Sequence, residues 1–140
     1  MASSEAIEAF LAEPRNLVVI GLRKDGSPQA TPNWFAWDGK HFYVSTTKKR
    51  AKYPIFKREP RVELLIDDLE SRRYIALSGK VEIRDDLEAV LALFREIREK
   101  YSVPVPSDEE FLAWLQGEDR VLLVITPDSS VETWRTNGFN

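Results

Sequence analysis

Two Asp-Gly pairs, Asp25-Gly26 and Asp38-Gly39, each stand between extended runs, and that arrangement constrains the chain more than any other feature of it. Glycine enters the left-handed conformations of tight hairpin turns without steric cost, and aspartate stabilises such turns through its side chain. Ahead of the first pair, Leu17, Val18, Val19, Ile20 and Leu22 give residues 16–24 the pattern of a buried strand. Residues 29–37 resume an extended pattern, and Phe42, Tyr43 and Val44 continue it after the second pair. Three antiparallel strands joined by two hairpins are expected here.

The remaining chain alternates between the two periodicities. Ile7, Phe10 and Leu11 recur at helical spacing after Ser4, so the chain is expected to open with a helix that ends near Pro14. Ala51, Ile55 and Phe56 fit a short helix with Pro54 in its first turn and Pro60 beyond its end. Residues 61–67 and 73–83 read as strands, with Gly79 marking a bend or bulge in the second. The clearest helix carries Leu87, Val90, Leu91, Phe94, Ile97 and Tyr101, between Asp86 as N-cap and the breaks at Pro104 and Pro106. Ser107 and Glu110 form a capping box for another helix through Leu115, stopped by Gly117. Strands at 121–125 and 131–135 complete the pattern. The expected fold is mainly β (α+β): one domain over residues 1–140, a six- to seven-stranded antiparallel barrel with peripheral helices.

Composition removes several kinds of chemistry. There is no cysteine and a single histidine, His41, which excludes disulfides, thiolate metal sites and histidine-pair relays, so no metal is expected. His41 falls in an apparent strand and is assigned no function. No apolar run approaches the ~20 residues of a membrane helix, and the first residues lack the pattern of a secretory signal. A cytoplasmic protein without membrane partners is the expectation.

One stretch carries a functional signal. Residues 48–61 hold seven basic side chains against one acid, Glu59, a local charge of +6 in a chain of net charge −3. Three hydroxyls, Ser45, Thr46 and Thr47, precede them at a strand end. Neutral donors followed by cations at a helix start are what an anion site needs, and phosphate suits them. Lys57 and Arg58 are read as the solvated side of the short helix, whereas Arg50 and Lys52 lie close enough to the hydroxyls to share one ion. Tyr53 and Phe56 interleave with the basic run, a pattern also found in nucleic-acid binders. A pI near 5.3 and acidic flanks argue against that reading, and no nucleic-acid partner is expected.

Four pieces taken in order resemble the flavin-binding split β-barrels related to pyridoxamine 5′-phosphate oxidase. They are Asp25-Gly26-Ser27-Pro28, the run from Ser45 to Lys52, Arg58-Glu59-Pro60-Arg61-Val62, and Leu77-Ser78-Gly79-Lys80-Val81-Glu82. The resemblance covers most of residues 17–93, and the later helices and Trp134-Arg135 have family counterparts. It implies a homodimer with a coenzyme at each subunit interface. Ser45, Thr46, Arg50 and Lys52, with Thr47 beside them, would face the coenzyme phosphate. Thr31, Pro32 and Asn33 would pass beside the tricyclic ring, and Tyr74 and Trp134 would come from the partner subunit.

The C-terminal arginine and histidine that grip the vitamin phosphate in pyridoxamine-phosphate oxidase have no match in Thr133-Trp134-Arg135-Thr136-Asn137. The Asp-Gly-Ser-Pro opening and the extra cations Lys48 and Lys49 are more similar to the branch that uses the deazaflavin F420. The resemblance therefore implies an F420-dependent oxidoreductase passing a hydride to a small conjugated substrate, with the cofactor supplying the chemistry and no catalytic side chain named. An FMN-dependent oxidase or flavin reductase, and a non-catalytic coenzyme carrier, are the alternatives. Trp34 and Phe35 are candidates for the substrate face, with a core or interface role as the competing reading.

Overall fold

The computed structural model describes residues 3–139. Both Asp-Gly pairs close hairpins, and by the same chemistry. Asp25 accepts from the Ser27 backbone N–H at 2.9 Å, and Asp38 from those of Lys40 and His41 at 2.8 and 2.7 Å. Gly26 and Gly39 take φ values of +85° and +94°, which a side chain would make costly. The first hairpin joins β1 (Leu17–Leu22) to β2 (Pro28–Asn33), and the second joins β3 (Ala36–Trp37) to β4 (Phe42–Thr47).

The expected three-stranded meander is corrected at this point, because residues 29–37 are not one strand. They divide into β2 and β3 around Trp34 and Phe35, and the two pieces lie at opposite ends of the sheet. With β5 (Arg61–Asp68), β6 (Arg73–Arg84) and β7 (Arg120–Pro127), the order is β2-β1-β5-β6-β7-β4-β3. Three peptide steps from Asn33 to Ala36 span at most ~11 Å, so the sheet must curl until its two margins nearly meet. All the strand pairs are antiparallel.

Among the described residues there are eight strands, not six or seven. The split of residues 29–37 adds one. The expected strand at 131–135 is instead a 3-10 turn, Val131–Thr133, and the last strand, β8 (Arg135–Asn137), pairs with β6 a few residues later. Gly79 marks no bulge, since β6 pairs with β5 and β7 without a skipped residue. A Cβ there would lie 2.7 Å from the Thr126 carbonyl oxygen, so the glycine permits close approach of backbones.

The core follows from the pleat. β1, β5 and β6 bury alternate residues, which places Leu17, Val19, Val62, Leu64, Ile66, Ile75 and Leu77 in the barrel interior. Helix α1 (Ser4–Ala12), capped by Ser3, adds Ile7, Phe10 and Leu11 to that core, and α2 (Lys52–Arg58) adds Ile55 and Phe56. Gly21 lets α2 sit down on β1, because a Cβ would approach Ile55 and Phe56 to 2.9 Å. β7 is buried on both faces at Val121, Leu122 and Leu123, and its second face meets α3 (Leu87–Lys100) and α4 (Asp108–Gly117). Ser107 caps α4 by accepting from the Glu110 N–H, as expected, whereas Asp86 makes no side-chain cap and pairs with Arg84 at 3.1 Å.

The end of α3 fixes the link between β2 and β3. Lys100 Nζ donates to the carbonyls of Leu11 and Phe35 at 2.8 and 3.1 Å and lies 3.6 Å above the Phe35 ring. Tyr101 donates its hydroxyl to the Arg15 carbonyl at 2.6 Å and accepts from the Phe35 N–H at 3.2 Å. Its ring stacks on Trp34 with centroids 4.9 Å apart. Two consecutive residues of the link are thus held facing opposite ways, Phe35 into the core and Trp34 toward solvent. No helix among the described residues is long and apolar enough to cross a membrane, which says nothing of strands.

Candidate functional site

The hydroxyl row at the end of β4 does not act as one group. Successive strand residues face opposite sides of a sheet, so Ser45 and Thr46 part company. Ser45 is half-buried and lines a cleft, while Thr46 is fully buried and its Oγ1 has no hydrogen-bond partner. Thr47 is also buried, and its carbonyl accepts from the Arg50 N–H at 3.2 Å, which turns the chain toward α2.

Lys52 is the most unusual side chain of the region. It is 5% exposed, and its one hydrogen bond is to Thr31 Oγ1 at 3.3 Å. Among the described residues no carboxylate pairs with it. Burial holds the ammonium below the usual lysine range, and the charge of Arg50 pushes it the same way. An ammonium placed so, beside a second cation, is costly to the protein alone and becomes favourable once an anion is present.

A cleft of about 450 Å³ opens beside this group. β2 contributes Pro32 and Asn33, the link contributes Trp34, and Ser45 and Arg50 come from β4 and the turn after it. The opposite wall is Phe94, Ile97 and Arg98 of α3 with Trp114 of α4 and Arg120 of β7. Three arginines and no carboxylate line it, so in a chain of net negative charge this cleft selects anions. Its apolar share includes the rings of Trp34, Phe94 and Trp114, which suit a flat ligand.

Arg120 is the functional candidate that sequence reasoning missed. It lies opposite Thr47 in the β4–β7 register and donates to Ser45 Oγ at 3.3 Å and to Glu118 at 3.4 Å. The guanidinium rests against Phe94 and Trp114 at 4.6 and 5.0 Å, and its Nε is buried without a partner. Burial lowers its proton affinity; Arg50 and Arg98 lower it further, and Glu118 opposes them. No local signal marks Arg120, because the pairing that brings it beside Ser45 joins distant parts of the chain.

The structure therefore brings together Thr31, Lys52 and Asn33 on one side, where Asn33 donates to the Thr31 carbonyl at 2.8 Å, and Pro32, Asn33, Ser45 and Arg50 around the cleft. Two residues are expected from the partner subunit and not from this chain's own cleft. Tyr74 is 41% exposed on β6, opposite Asp67 and Asn137, and does not line the cleft. Trp134 packs in its own barrel core against Trp37 and Phe42, and its indole N–H donates to the Ser129 carbonyl at 3.1 Å. Of the two candidates for the substrate face, Trp34 lines the cleft and Phe35 is fully buried. A separate hollow of about 280 Å³ on β1, β5 and β6 contains Arg61, Glu63, Lys80 and Asp128. Those charges pair with one another or with Glu59 and Arg135, which leaves no unbalanced charge for a ligand.

The family model for pyridoxamine 5′-phosphate oxidase matches residues 3–134, nearly the whole chain. The chain belongs to the pyridoxamine 5′-phosphate oxidase family. Solved structures agree with this family fold. One described as an F420 reductase is 29% identical, with 94% of this chain and 95% of that chain covered and a TM-score of 0.73. A conserved hypothetical protein from Mycobacterium tuberculosis is 26% identical over 97% of this chain and 83% of its own, with a TM-score of 0.79. A heme storage protein from Vibrio cholerae shares the fold at 16% identity, with 93% of each chain covered and a TM-score of 0.68. The fold is thus shared with a protein described as a reductase and with one described as a store.

Proposed function

We propose that the protein is an F420-dependent oxidoreductase that works as a homodimer on a small conjugated substrate. The observation that carries this reading is Lys52: a buried ammonium that pairs with no carboxylate among the described residues, next to Arg50. A phosphate bound there would supply the missing acceptors, with Ser45 donating from the cleft side. Thr31, Pro32 and Asn33 would run beside the coenzyme ring. Lys48 and Lys49, exposed next to Arg50, add positive charge beyond what a single phosphate group needs, which favours F420 and its further anionic groups over FMN. Similarity to the F420 reductase over nearly the full length of both chains supports the same choice.

When bound in its reduced form, the deazaflavin supplies a hydride to an electron-poor C=C or C=N bond. The chain itself supplies position and charge. Arg120 and Arg98 favour negative charge that develops on the substrate, and the wall of α3 and α4 keeps one side of the cleft from bulk water. Among the described residues no Asp, Glu or His lines the cleft, and solvent would supply the proton that balances the hydride. Dimerisation would cover β2, a sheet margin with no fully buried residue and a polar sequence, Pro-Gln-Ala-Thr-Pro-Asn.

Titration of purified protein with F420 and with FMN, followed by absorbance, tests the reading. F420 is expected to bind more tightly, and to turn over when reduced coenzyme meets an acceptor from a panel of enones and quinones. Tighter binding of FMN replaces the coenzyme assignment with the flavin one. Binding of F420 with no turnover on any acceptor favours a carrier.

A further inference from the structure

The cations near Lys52 account for only part of the cleft lining. Trp34 and Trp114, which also line it, are 44% and 42% exposed, and both rings pack on other aromatics. Trp34 stacks on Tyr101, and Trp114 stacks on Phe94 and Phe111 with centroids 5.5 and 6.0 Å away. An indole held by its neighbours and still partly exposed is a stacking platform with its ordering cost already met. The hollow also continues past Trp114 into a smaller space of about 220 Å³ lined by Arg98, Pro106, Phe111 and Trp114. Arg98 and Trp114 belong to both spaces and form the seam between them.

Arg98 is held at this seam by the protein itself. Its Nε and one terminal nitrogen donate to the Pro104 carbonyl at 3.1 and 2.9 Å, and the guanidinium lies within 5.8 Å of the Phe94 and Phe111 ring centres. Its other terminal nitrogen has no acceptor among the described residues, and no carboxylate lines either space. A preorganised, unpaired guanidinium in a cleft that also exposes indoles recognises a carboxylate on a flat ring system.

We propose that the part of the cleft around Arg98 and Trp114 is a substrate subsite for a planar conjugated carboxylate, with Trp34 and Trp114 stacking on the ring, Arg98 binding the carboxylate and the apolar space beyond Trp114 taking a substituent. The proposal rests on the reading of the cleft as a redox site and names the substrate class for it.

Quenching of tryptophan fluorescence tests it directly, since the two indoles are the platform. The probes are 2-naphthoate and its neutral counterpart 2-acetonaphthone, titrated into purified protein. The native protein is expected to bind the carboxylate at least ~10-fold more tightly, the discrimination that a charge-assisted contact provides. Arg98→Gln is expected to remove that preference and Lys52→Ala to retain it. Equal affinity for the two probes in the native protein overturns the subsite without any variant. A preference lost in Lys52→Ala but kept in Arg98→Gln overturns it as well, because the carboxylate then sits in the proposed phosphate site. F420 is titrated separately into the same proteins, so failure of the coenzyme reading is seen independently of the naphthoate result. If F420 binds, naphthoate must still bind the F420-saturated protein, and displacement of one by the other overturns the subsite as separate from the coenzyme site.

Discussion

Lys52 on α2 reaches across to β2 and donates its ammonium to the hydroxyl of Thr31 at 3.3 Å, the one hydrogen bond it makes inside the protein. That single weak contact leaves a buried cation undercompensated, so affinity for an anion and stability of the empty protein oppose one another at this position. Lys52→Met, which keeps the volume and removes the charge, is expected to raise the unfolding free energy by ~1 kcal/mol or more. It should weaken F420 binding by ~1–3 kcal/mol. Urea unfolding of the empty protein and a coenzyme titration check the two halves, and loss of stability in the variant contradicts the account.

The same lysine makes binding pH-dependent. Burial and then Arg50 depress its proton affinity in the empty protein, and a bound phosphate reverses the effect. As pH rises through the depressed pKa the free site loses its charge, so binding of F420 at alkaline pH takes up a proton. Calorimetric titrations at pH 9 in two buffers of different ionisation enthalpy should differ for native protein and agree for Lys52→Met.

Lys100 responds to pH without any ligand. Burial first, and Arg15 next, lower it from an ordinary 10.5 to about 8, with Glu96 opposing. The unfolded chain binds the proton more tightly, so this group penalises the fold below pH 8 and the penalty is relieved between about 8 and 10.5. Lys100→Met removes both the penalty and the two carbonyl contacts that hold the Trp34-Phe35 link. The stability of native protein relative to the variant is therefore expected to rise over that window, measured by urea midpoints at successive pH values.

Gly21→Ala tests the seating of α2. The new methyl would press on Ile55 and Phe56 at 2.9 Å and displace the helix that carries Lys52, at a cost of ~1–3 kcal/mol in stability. Coenzyme affinity should fall with it, although residue 21 touches no part of the cleft. Unchanged F420 affinity in a destabilised variant separates α2 from the site.

At the second hairpin, desolvation alone would raise Asp38, but bonds from Tyr43, His41 and Lys40 outweigh it and hold the carboxyl at about 2. Tyr43 rises to about 12 through burial and through that same bond, made at 2.6 Å. A depressed carboxyl contributes stability above its ordinary 3.8 and loses it as pH falls toward about 2. Tyr43→Phe should therefore be less stable than native at pH 7, with the gap narrowing over that acid window in thermal melts.

Local chemistry made much of this molecule legible in its sequence. Asp25-Gly26 and Asp38-Gly39 announce hairpins because turn geometry depends on the residues in the turn, and Ser107 with Glu110 announces α4 for the same reason. Lys52 and Arg50 stood out by charge density. What escaped detection depends on distant contacts. Nothing local shows that residues 29–37 break at Trp34-Phe35, since the break is imposed by closure of the sheet and by Lys100 and Tyr101. Arg120 reaches the site only through the β4–β7 pairing, and the burial of Trp134 depends on Trp37 and Phe42. The separation of Ser45 from Thr46, by contrast, was available from strand alternation alone.

The pairing of Phe42–Thr47 with residues 120–125 also orders events in time. A ribosome delivers β4 long before β7, so the strand bearing Ser45, Thr46 and Thr47 waits for most of the chain to emerge before its long-range neighbour arrives. Helix α2 can dock on β1 early, whereas Arg120 and the wall it completes come last. Loading of the proposed coenzyme would therefore be a step for finished polypeptides, and a nascent chain stalled ahead of β7 would have a lysine and no pocket.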